Sequence, residues 1–252
     1  MTERGAMDLV RDRNHLGIGP SSLDWRNGGL DVDINERCVP LPYKLRGRVR
    51  VTPTRLHNEH YVLDADGQHC WQPLAAVARV EVTLAQPALR WQGTAYLDSN
   101  WGVAPLETGF RDWDWSRAHL GDGSCAILYN TRGRDGLQRS LALHLPADGP
   151  AQPLDSPPAA ALPRTAVWRI ARETRSAGGQ AQVLRTLEDT PFYSRSLVRG
   201  TVAGESVDAM HESLNLDRFA SPWVRILLPF RMPRRPMPRR PLPRQQGTSA
   251  GS

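Results

Sequence analysis

The chain has 252 residues, 40% of them hydrophobic, and a formal net charge of +6; this is enough chain to bury a substantial core without disulfides or a structural metal. The surplus charge sits on six arginines after Phe230 (Arg231, Arg234, Arg235, Arg239, Arg240 and Arg244), so residues 1–230 are neutral overall and lack the interleaved basic surface of a nucleic-acid binder. Cys38, Cys70 and Cys125 are odd in number and widely spaced, which argues against a disulfide framework or a zinc site and for reduced thiols.

The N-terminus has no basic segment followed by an apolar one, and no run of 18 apolar residues occurs anywhere, so neither a signal peptide nor a membrane-spanning helix is predicted. From there the pattern is short alternating strands separated by turn signals. Residues 30–34 alternate after the turn Asn27-Gly28-Gly29, and residues 47–51 alternate before Pro53. Further strands are predicted at 61–63, 79–84, 89–97, 116–119 and 126–130. Residues 147–163, with Asp148-Gly149-Pro150 and a Pro/Ala run, are predicted to be an extended linker. Strands resume at 166–170, 182–187, 196–202 and 210–216, and 223–230 is predicted to be a closing strand or a docked short helix. The tail carries two consecutive copies of Met-Pro-Arg-Arg-Pro and is predicted to be polyproline II or disordered, either a solvated tail without function or one whose arginines are drawn to anionic lipid headgroups. Regularly spaced strands of this kind predict an all-β sandwich or barrel.

Chemistry-bearing residues concentrate between Gly93 and His119, where 27 residues hold four carboxylates, three tryptophans, a tyrosine and a histidine. On an extended strand Tyr96, Asp98 and Asn100 share one face. If that face looks into a barrel, burial raises the proton affinity of Asp98 and makes it a general acid at neutral pH; a strand-end Asp bonded to a turn before Gly102 satisfies the same spacing. His69 and Trp71 share a face by the same period, as a packed imidazole and indole also would. Trp113 and Trp115, with Trp101, offer walls for an apolar substrate, or a stacking surface for Arg117. Glu107 and His119 are candidate supporting groups. Dinucleotide and phosphate loops, a Gly-x-Ser-x-Gly elbow and a His-Glu-x-x-His zinc motif are all missing.

The strings Ile18-Gly-Pro-Ser-Ser-Leu23, Val39-Pro-Leu-Pro42, Leu45-Arg-Gly-Arg-Val49, the block from Gly93 to Glu107, Trp113-Asp-Trp-Ser-Arg-Ala-His119, Leu216-Asp-Arg-Phe219 and Ser221-Pro-Trp-Val224 closely resemble the carotenoid 1,2-hydratases, also called hydroxyneurosporene synthases. The resemblance runs from about residue 1 to 235. It implies two lipocalin-like antiparallel β-barrels, at 1–92 and 93–230, with a disordered tail at 231–252. It further implies cofactor-independent addition of water to the terminal C1–C2 double bond of an acyclic carotenoid such as neurosporene or lycopene. His69, Trp71, Tyr96 and Asp98 match the residues held essential in that family, with the carboxylic acid as proton donor. Residue 1 corresponds to the interior of the family's first barrel, so that barrel is expected to be incomplete. An apolar membrane-derived substrate and a basic tail together imply peripheral attachment on the cytoplasmic side. A carotenoid- or lipid-binding protein without catalysis, or an inactive truncated hydratase, is the alternative.

Overall fold

The computed structural model describes residues 5–38 and 42–227; the basic tail at 231–252 lies outside the described residues. The first sheet is antiparallel and contains β1 (Leu9–Arg11), β2 (His15–Ile18), β3 (Ser21–Arg26), β4 (Gly29–Arg37), β5 (Lys44–Pro53), β6 (Tyr61–Val62), β7 (His69–Gln86) and β8 (Ala88–Gly102). They lie in sequence order up to β5; β7 then pairs with β5, β6 and β8. The β3–β4 turn places Asn27 and Gly28 at φ 51° and 67°, the left-handed pair that a tight hairpin matching strand twist needs. Asp31 on β4 is held by Arg26 and by Arg50 of the neighbouring strand, the latter at 2.7 Å.

β7 is longer than its partner requires because two bulges each insert one residue, between Gln72 and Ala75 and between Ala75 and Ala78. Pro73 falls in the first bulge, where an absent N–H breaks no ladder bond. Across the bulges burial switches from His69, Trp71 and Ala75 to Ala76, Ala78, Val80 and Val82. The hairpin β7–β8 thus bends, and its Tyr96–Asn100 end packs toward the second sheet.

That second sheet follows α1 (Leu106–Gly109) and is built from β9 (Phe110–His119), β10 (Cys125–Gly133), β11 (Gln138–Leu145) and β12 (Gln152–Pro153), then, after the small β13 (Ala159–Leu162) and β14 (Arg172–Arg175) pair, from β15 (Gln182–Asp189), β16 (Tyr193–Val202) and β17 (Glu205–Asn215). The order is β12-β11-β10-β9-β17-β16-β15, antiparallel throughout. The chain then enters α2 (Leu216–Ala220), capped by the Asn215 side chain, and α3 (Pro222–Leu227). The all-β antiparallel expectation holds, and among the described residues neither sheet closes on itself.

Two local expectations are corrected. Residues 147–163 are not a free linker: β12 adds to β11, and β13 pairs with β14, burying Ala160 and Leu162. The proline-flanked alanines read as a spacer, yet their small side chains let this ribbon sit close to its support. Asp114 of β9 provides part of it, accepting from Ser213 Oγ and from the Glu173 backbone N–H. Residues 166–170 form a loop rather than a strand, because Asp189 accepts the Val167 and Trp168 N–H groups and Thr165 pairs with Ile170 through backbone and hydroxyl. Within 223–230, the described part is helical, the second of the two alternatives expected there.

The core lies between the sheets. Trp71 from β7 is fully buried against Leu63, Phe110, Trp115, Ile127 and Tyr129, all in one cluster that spans both sheets. Its indole meets Tyr129 of β10 edge-on at 5.4 Å between centroids, a favoured aromatic geometry. Arg117 of β9 adds a polar strut, donating through Nε to the Ala76 carbonyl at the bulge (3.0 Å) while its guanidinium lies 5.3 Å from the Tyr96 ring centroid.

Candidate active site

Between the sheets a cavity of about 330 Å³ is lined by Tyr96, Asp98 and Asn100 from β8 and by Trp113, Trp115, Tyr129, Arg195 and Glu212 from β9, β10, β16 and β17. Tyr96, Asp98 and Asn100 share the face that their alternation predicts. Trp71 reaches Asp98 from the adjacent strand: Nε1–H donates to Oδ2 at 2.8 Å. The Tyr96 hydroxyl donates to the same oxygen at 3.3 Å.

Burial is the main reason that the Asp98 carboxyl binds its proton more tightly than an ordinary aspartate; the Trp71 and Tyr96 hydrogen bonds oppose it, and the negative charge of Glu212 adds to it. With two donors aimed at Oδ2, the proton of the acid form belongs on Oδ1. Tyr96 is pushed well above its ordinary value by burial and then by the charge of Asp98, so it remains a phenol and a donor. Rings enclose the acid: Tyr96 lies 5.1 Å from Trp115, and Trp113 6.0 Å from Tyr129. The result is a carboxylic acid flanked by aromatic rings, with the Arg195–Glu212 ion pair lining the same cavity.

His69 shares the buried side of β7 with Trp71 but has other partners. Nδ1 lies 2.6 Å from Asp64 Oδ2 and Nε2 donates to the Ala104 carbonyl at 3.0 Å, so both ring nitrogens are engaged away from Asp98. Burial would raise the Asp64 carboxyl, but the His69 imidazole and the His69 and Gln68 N–H groups outweigh it and hold it below the ordinary range. The ring is packed so tightly that a Cβ at Gly102 or Gly109 would approach it to 2.8 or 2.9 Å, which explains glycine at both positions. His69 thus anchors the start of β7 and, through it, the indole two residues later.

The remaining sequence candidates divide. Trp113 and Trp115 line the cavity, whereas Trp101, on the opposite parity of β8, is 45% exposed and rests near His60, with ring centroids 5.7 Å apart. Glu107 pairs with Arg225 of α3, and His119 contacts Arg117 at 2.6 Å; neither lines the cavity. Tyr129, Arg195 and Glu212 were not among the sequence candidates. The run of apolar residues in β10 hinted at a doubly buried strand, but nothing local signals that Arg195 and Glu212 face a residue more than 90 positions upstream.

Residues 1–240 match the family described as carotenoid hydratase CrtC. This chain belongs to that family. Among its CrtC relatives it is 50% identical over 235 residues to the acyclic carotenoid 1,2-hydratase of Thiocapsa roseopersicina and 45% identical over 236 residues to that of Rubrivivax gelatinosus, in each case covering 93% of this chain and 58% of the relative. The chain thus spans less than two thirds of the length of those two proteins. The acyclic carotenoid 1,2-hydratase of Cereibacter sphaeroides is 40% identical over 238 residues, covering 94% of this chain and 84% of the relative. The CrtC sheets also resemble the crystal structure of a protein described as AttH from Nitrosomonas europaea, with a TM-score of 0.55, 16% identity, and 84% of this chain and 72% of that one covered. That likeness concerns the fold alone.

Proposed function

We propose that this chain adds water to the terminal C1–C2 double bond of an acyclic carotene such as neurosporene or lycopene. The observation that carries the reading is Asp98, whose carboxyl burial pushes above the ordinary aspartate range, set among aromatic rings in a chain of the carotenoid hydratase family. The C1 carbon carries two methyl groups, so protonation at C2 gives the tertiary cation at C1, the better stabilised of the two possible ions. Asp98 Oδ1 delivers the proton, and Trp71 and Tyr96 hold the carboxyl in place and stabilise the carboxylate left behind. Indole and phenol faces around the cavity attract the cation, an effect of about 0.5–2 kcal/mol. Water then adds at C1 to give a tertiary alcohol.

The test is incubation of the purified chain with lycopene or neurosporene in detergent, without added cofactor, followed by mass analysis. A product heavier by one water is expected. Bound carotene recovered with its mass unchanged would instead make the chain a carrier.

We also propose that the chain works as a peripheral protein on the cytoplasmic leaflet, from which so apolar a substrate must be taken. Trp168 and Trp223 stack at 5.9 Å on the surface beside exposed Val167, Ile226 and Leu227. The arginines of the tail follow this patch in sequence, and each basic residue near an anionic surface contributes about 1 kcal/mol. Co-sedimentation with vesicles containing anionic lipid is expected to weaken on deletion of residues 231–252 and further on changing Trp168 and Trp223 to serine. Binding that is indifferent to all three changes would dismiss the membrane role.

A further inference from the structure

Water that adds to a tertiary cation forms an oxonium, which must lose a proton before the alcohol exists. Asp98 has by then become a carboxylate on one wall of the cavity, with Oδ2 already held by Trp71 and Tyr96. The facing wall offers a second carboxylate. Glu212 on β17 lines the same cavity, and Arg195 from β16 donates to its Oε1 through Nε at 3.0 Å and Nη2 at 2.9 Å. Because both donors converge on one oxygen, the second oxygen of Glu212 lies outside the guanidinium fork. The Arg195 guanidinium is steadied in turn by the Tyr193 ring, 5.7 Å from its centroid, and by Glu188 at 3.5 Å.

We propose that Glu212, held by Arg195, positions the attacking water and takes its proton. The assignment rests on the hydratase reading and extends it across the sheet interface. The electrons and atoms balance as follows: the C1–C2 π pair forms the new C2–H bond with the Asp98 proton; a lone pair of water forms the C1–O bond. The oxonium O–H bond then breaks toward Glu212, and that proton returns through solvent to Asp98, leaving one water added and both carboxyl groups restored. The Glu212 charge contributes to the upward shift of Asp98 only behind burial, so replacing Glu212 leaves the main cause of that shift in place. Arg195 holds Glu212 on the wall that faces Asp98, so that one carboxyl stands as acceptor and the other as donor across the same cavity.

The experiment compares wild type, Glu212→Gln and Asp98→Asn with the carotene in D2O, measuring both hydrate formed and deuterium gained at C2 of recovered substrate. Glu212→Gln is expected to lose hydration by roughly 100-fold or more, within the range for a lost acid or base, yet to retain C2 exchange, because the cation still forms and returns to alkene. Asp98→Asn is expected to lose both. Hydration at the wild-type rate in Glu212→Gln, or loss of exchange together with hydration, would overturn the assignment of Glu212 while leaving the hydratase reading standing. Asp98→Asn that still exchanges and hydrates would instead overturn the acid role on which the proposal rests. If the Gln variant does not fold, Glu212→Asp, which keeps the charge but withdraws it by one methylene, is expected to slow hydration with exchange intact; unchanged hydration there counts against the proposal.

Discussion

Changing Asp98 to asparagine is expected to lower carotene hydration by about 10²- to 10⁴-fold, the usual contribution of a positioned general acid, with little effect on folding. The amide is close to the carboxyl in shape, and its oxygen can still accept from Trp71 Nε1 and the Tyr96 hydroxyl; what it cannot do is give up a proton to carbon. The pH dependence of the wild-type protein follows from the same group. The acid form of Asp98 is required, so on the alkaline side the rate should fall as pH rises through the upward-shifted Asp98 pKa. Stability should move in the same direction. The folded state binds this proton more tightly than the unfolded chain, so the contribution is fully present below the unfolded aspartate value and is lost as pH rises through the raised one. Asp98→Asn should lack that component in pH-dependent urea unfolding. Turnover near the wild-type rate in the variant would remove Asp98 as the proton source.

The largest stability effect is expected at Trp71. It is fully buried at the junction of the sheets, and Trp71→Ala should cost about 3–5 kcal/mol, as large-to-small core substitutions with an unfilled cavity do. Trp71→Phe separates packing from chemistry. It keeps most of the apolar contact but removes the indole donor to Asp98, a hydrogen bond that favours the charged carboxyl. The acid should then hold its proton to higher pH, moving the alkaline limb of the rate profile upward, while the maximal rate falls roughly 10- to 100-fold, matching about 1.5–3 kcal/mol for a bond to a charged group. Urea melts and pH–rate profiles of the two variants distinguish these effects. An alanine variant as stable as wild type would show that Trp71 is not a structural wedge.

How far the sequence could be read depended on whether a feature was local. Alternation grouped Tyr96 with Asp98 and Asn100, and His69 with Trp71, because side-chain direction in a strand is a property of neighbouring residues alone. The same parity separates Trp101 from that face. Strict alternation could not anticipate the bulges in β7, where burial passes from odd to even positions, nor the pairing of the Pro/Ala run in β13 with a strand formed later in the chain. Arg195 and Glu212 were invisible for a deeper reason: an Arg–Glu pair on adjacent strands looks like any surface ion pair until the fold brings Asp98 of the other sheet to the same cavity. The partners of His69 were hidden likewise, since Asp64 and the Ala104 carbonyl come from turns on either side.

Asp98 is carried by the first sheet and Glu212 by the second, so the gap between them is set by how one sheet rides on the other rather than by the geometry of any strand. A preparation with every hydrogen-bonded ladder intact but the sheets slightly parted would give an unaltered far-ultraviolet spectrum and no product. Near-ultraviolet signals from Trp71, Trp113 and Trp115, which sit at the seam, are therefore the appropriate measure of competence when variants are purified and compared.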